Sequence, residues 1–264
     1  MLFTGSKYCP TCAYVNYRLN IRRFPRKTTN AIWEYIKKNG YVCYYTKIPL
    51  DVKDIKSPWY LQFDHWIPRD SKKVVITSTL INEMKSDQSE EEFWDFVIQL
   101  DNYKKKHIKI KTGPLVYWYR LHPPIVSPLK TPKKQSSQCV ICGNPVFSTY
   151  SKYCKICSNF EIRLKSKSFP RKTVSDVWQY VRQNGYVCYY TGMPLNMLDR
   201  HNPWYCVLSP LKPNDPKKVV ITTYLLFVMK SKLSEKEFWS FIDQLAKHKK
   251  QGTKVKKFNP RYWS

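Results

Sequence analysis

Four cysteines in the second half of the chain have the spacing of a metal site. Cys139 and Cys142 form one C-x-x-C pair, and Cys154 and Cys157 form a second pair eleven residues later. Two such pairs supply four thiolates, the ligand set of a closed, tetrahedral, structural Zn²⁺ site. The alternative is four unliganded thiols, and we favour zinc because this spacing is specific.

The first half of the chain contains one such pair, Cys9 and Cys12. Two thiolates alone do not close a tetrahedral zinc site. We therefore expect a vestigial half-site. Two alternatives stay open, namely ligands borrowed from elsewhere in the chain, and further residues of the protein upstream of Met1.

The chain contains an internal duplication. Residues 6–101 match residues 151–246 without a gap at 48 of 96 positions. Positions kept in both copies serve the shared fold, so residues found in one copy only are candidates for chemistry. Three polar residues of the first copy are replaced in the second: Asp64 by Ser209, His65 by Pro210, and Asn82 by Phe227.

A carboxylate, an imidazole and a carboxamide together suit the metal-assisted hydrolysis of a phosphodiester. Asp64 and Asn82 offer the hard oxygen ligands that Mg²⁺ or Mn²⁺ prefers. His65 has an unperturbed pKa of roughly 6.5, which suits a general base near neutral pH. The alternative is structural, with the Asp capping a turn, the His partly buried and the Asn ending a helical turn. The joint replacement of all three argues against it.

A family resemblance rests on the same residues. The segment 64–86 consists of Asp-His, then apolar residues and Pro, then after a short loop an apolar run, and finally Asn-x-x-Lys-Ser. This order resembles the ββα-metal finger of the HNH endonucleases. It covers residues 40–100 and, without the three polar residues, 185–245. The resemblance implies an α+β fold with two tandem ββα-metal (HNH-like) domains, the second of which carries the four-cysteine zinc knuckle.

The resemblance also implies a role for each polar residue. His65 acts as the general base, while Asp64 and Asn82 hold one Mg²⁺ or Mn²⁺ ion that faces the leaving 3′ oxygen. The family pattern has a middle Asn at the start of the apolar run, where this chain has Lys73. The orientation of His65 then depends on other contacts. Lys73 could contact phosphate, but the second copy keeps Lys218 at that position, so we assign both mainly to the fold or to backbone contact.

The charge of the chain points to a polyanionic partner. Its 264 residues include 46 Lys or Arg against 19 Asp or Glu, which gives a formal charge of +27. The electrostatic field of so large a positive charge attracts nucleic acid, and an enzyme that acts on small neutral molecules has no use for it. We expect DNA as the partner. The lysines that we assign to nucleic-acid contact are Lys72, Lys73, Lys85, Lys104, Lys105 and Lys106.

Local patterns predict the elements that precede the polar residues. Thr28 is placed as a helix N-cap, and the helix after it is predicted to end at Asn-Gly, residues 39–40. The segments 41–46 and 60–64 are predicted strands, because β-branched and aromatic residues dominate them. The second copy repeats these signals.

The elements that follow carry Asn82 and close the domain. The apolar stretch from Val74 is ambiguous between strand and helix, although residues 80–85 favour a helix. Ser89 and Glu92 form a capping box that opens an amphipathic helix. Asn82 is therefore expected on a short helix that follows a strand.

We predict four segments in the chain. They are an active HNH-like domain (1–101), a basic, Pro-rich linker (102–138), a degenerate HNH-like domain with the zinc knuckle (139–246), and a basic aromatic tail (247–264). The linker and the tail are either solvated spacers or arms that lie on phosphates.

Two further expectations concern the location of the protein. The chain has no apolar run of about 18 residues and no apolar signal core, so we expect no membrane span. Six of the nine cysteines lie in C-x-x-C pairs, which favours metal ligands and a reducing, intracellular compartment, cytoplasmic or nuclear. The richness in Lys, Tyr and Asn suggests a viral or phage origin.

The sequence therefore predicts a metal-dependent HNH-type endonuclease that hydrolyses phosphodiester bonds in DNA and nicks with one active site. The alternative is a non-catalytic nucleic-acid-binding or ribonucleoprotein structural protein derived from a nuclease. An RNA nuclease is not separated from a DNA nuclease by these residues.

Overall fold

The computed structural model describes residues 9–111, 138–143, 146, 152–258, 260, 261 and 263. The chain divides into two compact units. The first unit comprises residues 1–101 and 236–264, and the second comprises residues 102–235. In the part of the chain that the structure describes, each unit contains helices and one two-stranded antiparallel sheet. The predicted α+β class is therefore confirmed. Among the described residues, none of the helices has the length and apolar character of a membrane span.

The two copies have the same order of elements. In the first copy they are α1 (Pro10–Ile21), α2 (Arg26–Asn39), β1 (Leu61–His65), β2 (Val74–Ser78), α3 (Thr79–Lys85) and α4 (Glu90–Lys106). In the second copy they are α5 (Lys155–Ser166), α6 (Arg171–Asn184), β3 (Cys206–Pro210), β4 (Val219–Thr223), α7 (Tyr224–Lys230) and α8 (Glu235–Gln251).

Helix α2 begins earlier than its sequence indicates. Its N-cap is Pro25, whose fixed φ suits the position before a first turn, and no side chain caps it. Thr28 lies inside the helix, so its prediction as N-cap is wrong. Its hydroxyl instead donates to the carbonyl oxygens of Ser71 and Lys72, at 3.0 and 3.3 Å. The predicted end of the helix is confirmed, because the helix stops at Asn39 before a glycine with φ 76°.

The segment 41–46 does not form the predicted strand. Only Val42 makes a β-bridge, to Pro49, and the residues after Cys43 form a turn. The chain folds back on itself because the Cys43 N–H bonds to the Ile48 carbonyl at 2.8 Å. The residues of this segment therefore pair with the residues that directly follow them, and not with a separate strand.

Strands β1 and β2 form a hairpin in which His65 pairs with Val74. The prediction of a strand at 60–64 is confirmed with a shift of one residue. The ambiguous stretch from Val74 is a strand up to Ser78, whose hydroxyl accepts from the Ile81 N–H and caps α3. Helix α3 packs against both strands. Asp64 and His65 on β1 and Asn82 on α3 therefore lie on elements that pack directly against each other.

Helix α4 starts at the predicted capping box. The Ser89 N–H donates to the Glu92 carboxylate at 2.8 Å, and the Glu92 N–H donates to the Ser89 hydroxyl at 3.2 Å. The helix continues to Lys106, so the first five residues of the predicted linker 102–138 are helical. Residues 112–137 of that linker lie outside the described residues.

Helix α8 and the tail after it belong to the first unit from Lys236 onward. The Phe241 ring of α8 lies 6.0 Å from the ring of Trp59. The Trp59 indole N–H donates to the Phe258 carbonyl at 2.7 Å. This grouping differs from the predicted segments 139–246 and 247–264, because these contacts bind the end of the chain to Trp59.

Candidate functional site

The three candidate catalytic residues line one cleft of the first unit. The cleft has a volume of about 300 Å³. Asp64 and His65 enter it from the end of β1, and Asn82 enters it from α3. The cationic side chains in the lining are those of Arg22, Arg69 and Lys85. The cleft therefore combines oxygen ligands, an imidazole and positive charge, a composition that suits a phosphate group.

Asp64 lies at the base of this cleft in a buried ion pair. Its side chain accepts a hydrogen bond from the Tyr45 hydroxyl at 2.6 Å. The Lys85 ammonium lies 3.3 Å from Oδ1 and 3.2 Å from Oδ2, and it also donates to the His65 carbonyl at 2.9 Å. These contacts fix the carboxylate at the end of β1.

Burial shifts the pKa values of both partners. It raises the pKa of Asp64, against the opposing effects of the Lys85 charge and the Tyr45 hydrogen bond. It lowers the pKa of Lys85, against the attraction of Asp64. Both shifts reflect the cost of keeping a charge away from water. Each charge is therefore held in place mainly by the other.

The burial of Lys85 distinguishes it from the other lysines that we predict to contact nucleic acid. Its side chain is only 1% exposed and pairs with Asp64, so it is not the surface cation that the sequence suggests, although it lines the cleft. The side chain is enclosed because α3 points it at the end of β1. The other predicted contacts are exposed: Lys72, Lys73, Lys104, Lys105 and Lys106.

His65 is half-buried and lies beside Phe24, with 6.1 Å between the ring centres. Burial lowers the pKa of His65 below its usual value, and the positive charges of Lys85 and Arg22 add to this effect, whereas Asp64 opposes it. A lowered pKa keeps the imidazole neutral at pH 7. A neutral imidazole at the edge of a cleft can accept a proton.

The oxygen donors of the cleft fit a hard divalent cation. A carboxylate has about four acceptor positions. Among the described residues, Tyr45 and Lys85 use those on Oδ2 and one on Oδ1 of Asp64. One position on Oδ1 is left for a cation, and the carboxamide of Asn82 supplies a second oxygen in the same cleft.

The second copy keeps the strand, strand, helix order that surrounds this cleft but not the three candidate catalytic residues. Lys230, which matches Lys85, is buried and donates to the Pro210 carbonyl at 3.3 Å. Ser209 stands where the first copy has Asp64, and Phe227, on α7, is 40% exposed. The second copy therefore lacks the carboxylate, the imidazole and the carboxamide.

The four predicted zinc ligands form one cluster in the second unit. Their sulfur atoms all lie within 4.8 Å of one another. Cys142 Sγ lies 3.5 Å from the sulfurs of Cys154 and Cys157. The geometry confirms that Cys139, Cys142, Cys154 and Cys157 are placed to hold one metal ion.

Local hydrogen bonds prepare these sulfurs for a cation. Cys154 is the N-cap of α5, and the Tyr186 hydroxyl donates to Cys157 Sγ at 3.0 Å. Burial raises the pKa of the Cys139 thiol, but N–H groups of Cys154, Cys142 and Ile141 outweigh it and lower that pKa to about 6. The thiolate is the form that binds metal, so this shift favours metal binding at Cys139. The pKa of the Cys157 thiol moves the other way, because burial raises it.

The pair Cys9 and Cys12 has the same local geometry. Cys9 is the N-cap of α1, its sulfur accepts from the Cys12 N–H at 3.3 Å, and the Tyr41 hydroxyl donates to Cys12 Sγ at 3.3 Å. Within the described residues, no further cysteine, histidine or carboxylate joins this pair in a group of three. The described part of the chain thus holds one half of a metal site here.

A second cleft of the first unit was not indicated by any sequence motif. It has a volume of about 260 Å³ and contains the side chains of Tyr35, Tyr44 and Trp66. These residues come from three separate segments, and each alone resembles an ordinary aromatic of a helix, turn or strand. Only the differences between the copies carry a sequence signal, since Leu211 replaces Trp66.

Comparisons with known proteins do not assign a family. No protein-family model, curated protein or solved structure matches the chain.

Proposed function

We propose that the chain is a metal-dependent endonuclease of the HNH type that hydrolyses phosphodiester bonds of DNA. The observation that carries this proposal is the convergence of Asp64, His65 and Asn82 on one cleft. The order of β1, β2 and α3 supports it, because a hairpin followed by a helix is the arrangement that a ββα-metal finger requires.

In the proposed reaction, His65 removes a proton from the attacking water. Its lowered pKa supports this role, because the imidazole is neutral at pH 7 and can act as a base. Arg22 and Arg69 line the same cleft and offer guanidinium groups to the oxygens of the scissile phosphate. The phosphate then lies between the base and the carboxylate.

Asp64 and Asn82 are the residues that would hold one Mg²⁺ or Mn²⁺ ion. When bound, such an ion supplies positive charge to the leaving oxygen. Lys85 and Tyr45 orient the carboxylate for this purpose, because they fix it from the buried side of the cleft.

The proposed enzyme has one hydrolytic cleft, in the first unit. The second copy contributes a nucleic-acid-binding surface, and its cysteine cluster holds a structural Zn²⁺ ion in this proposal. With one cleft per chain, a single protein molecule cuts one strand of a duplex. The expected product of a supercoiled plasmid is therefore the open circle.

A plasmid assay tests the proposal. Supercoiled plasmid is incubated with the full chain and Mg²⁺, and the products are followed over time on a gel. The wild type should form open circles, His65→Ala should form none, and EDTA should stop the reaction. The matched control is Pro210→Ala in the second copy, which should cut at the wild-type rate. Linear product from the earliest times, or equal cutting by His65→Ala, would contradict the proposal.

A metal titration tests the cation site without relying on activity. Mn²⁺ binding is measured by electron paramagnetic resonance on His65→Ala, which binds but does not cut in this proposal. Asn82→Ala in that background should lose the ion, while Phe227→Ala, at the matched position of α7, should retain it. Retention of the ion by both variants would place it elsewhere.

The buried ion pair favours a second candidate function. Because Lys85 already neutralises Asp64, the carboxylate has a structural role without any metal. The chain is then a non-catalytic nucleic-acid-binding protein, which its charge of +27 also suits. In that case neither wild type nor His65→Ala cuts, and both bind nucleic acid with an affinity that falls steeply with salt.

A further inference from the structure

A groove of the first unit has no part in the proposed hydrolysis. It is the second cleft described above, and we call it the aromatic groove. Its lining includes Tyr35 on α2, Tyr44 in the turn after it, and Trp66 directly after β1, together with Lys72 and Lys73. Its volume of about 260 Å³ lies just below the range of pockets for whole small ligands, which suits a fragment of the size of one base.

The rings of the groove lie on a fixed backbone. The Tyr44 ring centre is 6.1 Å from that of Tyr35 and 5.7 Å from that of Trp66. The Tyr44 N–H bonds to the Ile76 carbonyl, and the Trp66 N–H bonds to the Lys73 carbonyl, each at 2.8 Å. Trp66 is nevertheless 39% exposed. A rigid aromatic surface is thus open to a flat, apolar partner.

Exposed ammonium groups accompany the rings. Lys47 Nζ lies 5.3 Å from the ring centre of Tyr35 and 5.1 Å from that of Tyr44. Lys73 Nζ lies 5.9 Å from the ring centre of Trp66. Aromatic faces beside flexible cations match a nucleotide, which offers a flat base and a phosphate at a short distance.

The second copy serves as an internal control for this groove. It keeps the two tyrosines, as Tyr180 and Tyr189, so these residues belong to the shared frame. The features that would bind a base are replaced there: Trp66 by Leu211, Lys47 by Gly192, and Ala31 by Asp176. The indole and one cation are thus absent from the copy that lacks the acid, the imidazole and the carboxamide.

We propose that the aromatic groove binds an unpaired nucleobase by stacking on Trp66, with Lys72 and Lys73 on the adjoining phosphates. This inference rests on the proposed endonuclease function and names its substrate class, nucleic acid that is single-stranded or contains unpaired bases. His65 lines the hydrolytic cleft, and the next residue, Trp66, lines the aromatic groove. The two sites therefore adjoin along the chain, and one nucleic-acid strand can reach both.

Binding measurements in EDTA test the groove without cleavage. Three labelled DNA ligands of equal length are titrated with the full chain: a single strand, its duplex, and a strand of abasic sites. Trp66→Leu introduces the residue of the second copy and should weaken binding of the single strand about tenfold. Binding of the duplex and of the abasic strand should stay unchanged. The control is Tyr17→Leu on α1, since Tyr17 is 62% exposed and lies outside the groove.

A second variant, Lys47→Gly, tests the groove in case Trp66→Leu fails to fold. Lys47 has φ 57°, and Gly192 at the matched position has φ 63°, so Lys47→Gly leaves the backbone unstrained. It should weaken binding of the single strand about threefold, and binding of the abasic strand by a similar factor, because a lost cation weakens binding to any polyanion. For Trp66→Leu, equal losses on all three ligands, or none on any, would overturn the proposal.

The two proposals fail in different ways. If the wild type cuts neither plasmid nor a single-stranded oligonucleotide in Mg²⁺, but binds single strands in a Trp66-dependent manner, the endonuclease is refuted and the groove stands. If the wild type cuts and Trp66→Leu binds like the wild type, the groove alone is refuted.

Discussion

Replacing Asp64 by Asn removes the negative charge of a buried ion pair and leaves the Lys85 ammonium in place. The two side chains are 7% and 1% exposed, so water screens the pair little. At 3.2 Å and an effective dielectric constant of about 20, the attraction is about 5 kcal/mol. Breaking such a pair on one side costs about 3–5 kcal/mol of the free energy of unfolding.

Urea unfolding of the full chain, followed by circular dichroism, measures this loss. With a slope of about 1–3 kcal/mol per molar urea, the midpoint of the first unit should fall by at least about 1 M. The control is Glu34→Gln on α2, an exposed carboxylate whose loss should change stability by less than about 0.5 kcal/mol.

The double variant Asp64→Asn/Lys85→Met separates the ion pair from other effects. It leaves neither charge alone in the interior, so it should recover most of the stability lost in Asp64→Asn. Losses in the two single variants that simply add in the double variant would refute a coupled pair. Equal midpoints for Asp64→Asn and Glu34→Gln would do the same.

The loss should also depend on pH. Burial lowers the pKa of Lys85 in the folded state, and without Asp64 that pKa falls further. A group with a lowered folded pKa destabilises the folded state as pH falls through that pKa, because the unfolded chain binds the proton more tightly. The defect of Asp64→Asn should therefore shrink between pH 7 and pH 10.

Three further predictions concern other sites. Because burial lowers the pKa of His65, the rate of plasmid cleavage should rise with pH along an acidic limb whose apparent pKa lies below about 6.5, measured from pH 5 to 8. Atomic absorption should find zinc in purified Cys12→Ser and none in Cys139→Ser, because only the latter belongs to the four-sulfur cluster. Thr28→Val and Thr173→Val should each cost about 1 kcal/mol in urea unfolding, since each hydroxyl bonds two carbonyl groups.

Elements that depend only on neighbouring residues could be predicted from the sequence. The capping box at Ser89 and the end of α2 before Gly40 depend on residues within one helical turn. Both were predictable from the residue types and their spacing. The four-cysteine cluster was predictable because two C-x-x-C pairs have the spacing that is typical of a four-thiolate metal site. The position of β1 was also predictable, to within one residue, from the residue types of the segment 60–64.

Features that depend on distant contacts were not predictable. Lys85 looks like a surface cation, yet it pairs with a carboxylate 21 residues away along the chain. Thr28 has the right type for an N-cap, but Pro25 starts the helix and frees the hydroxyl to hold the loop before β2. In both cases a tertiary contact overrides a local propensity. The segment 41–46 differs, because it has strand composition but forms a local reversal, which the hydrogen bond from Cys43 to Ile48 closes.

The two hydrogen-bond donors that contact Asp64 are also present in the second copy, although the acid is not. Lys230 and Tyr190 occupy the positions of Lys85 and Tyr45, and Lys230 still reaches the carbonyl of the neighbouring strand. Grafting Asp at Ser209 would place a new anion opposite a cation that is already buried. The second half would therefore need substitutions at three positions only, Ser209, Pro210 and Phe227, to carry the residues of the proposed hydrolytic cleft, because the buried lysine is already in place.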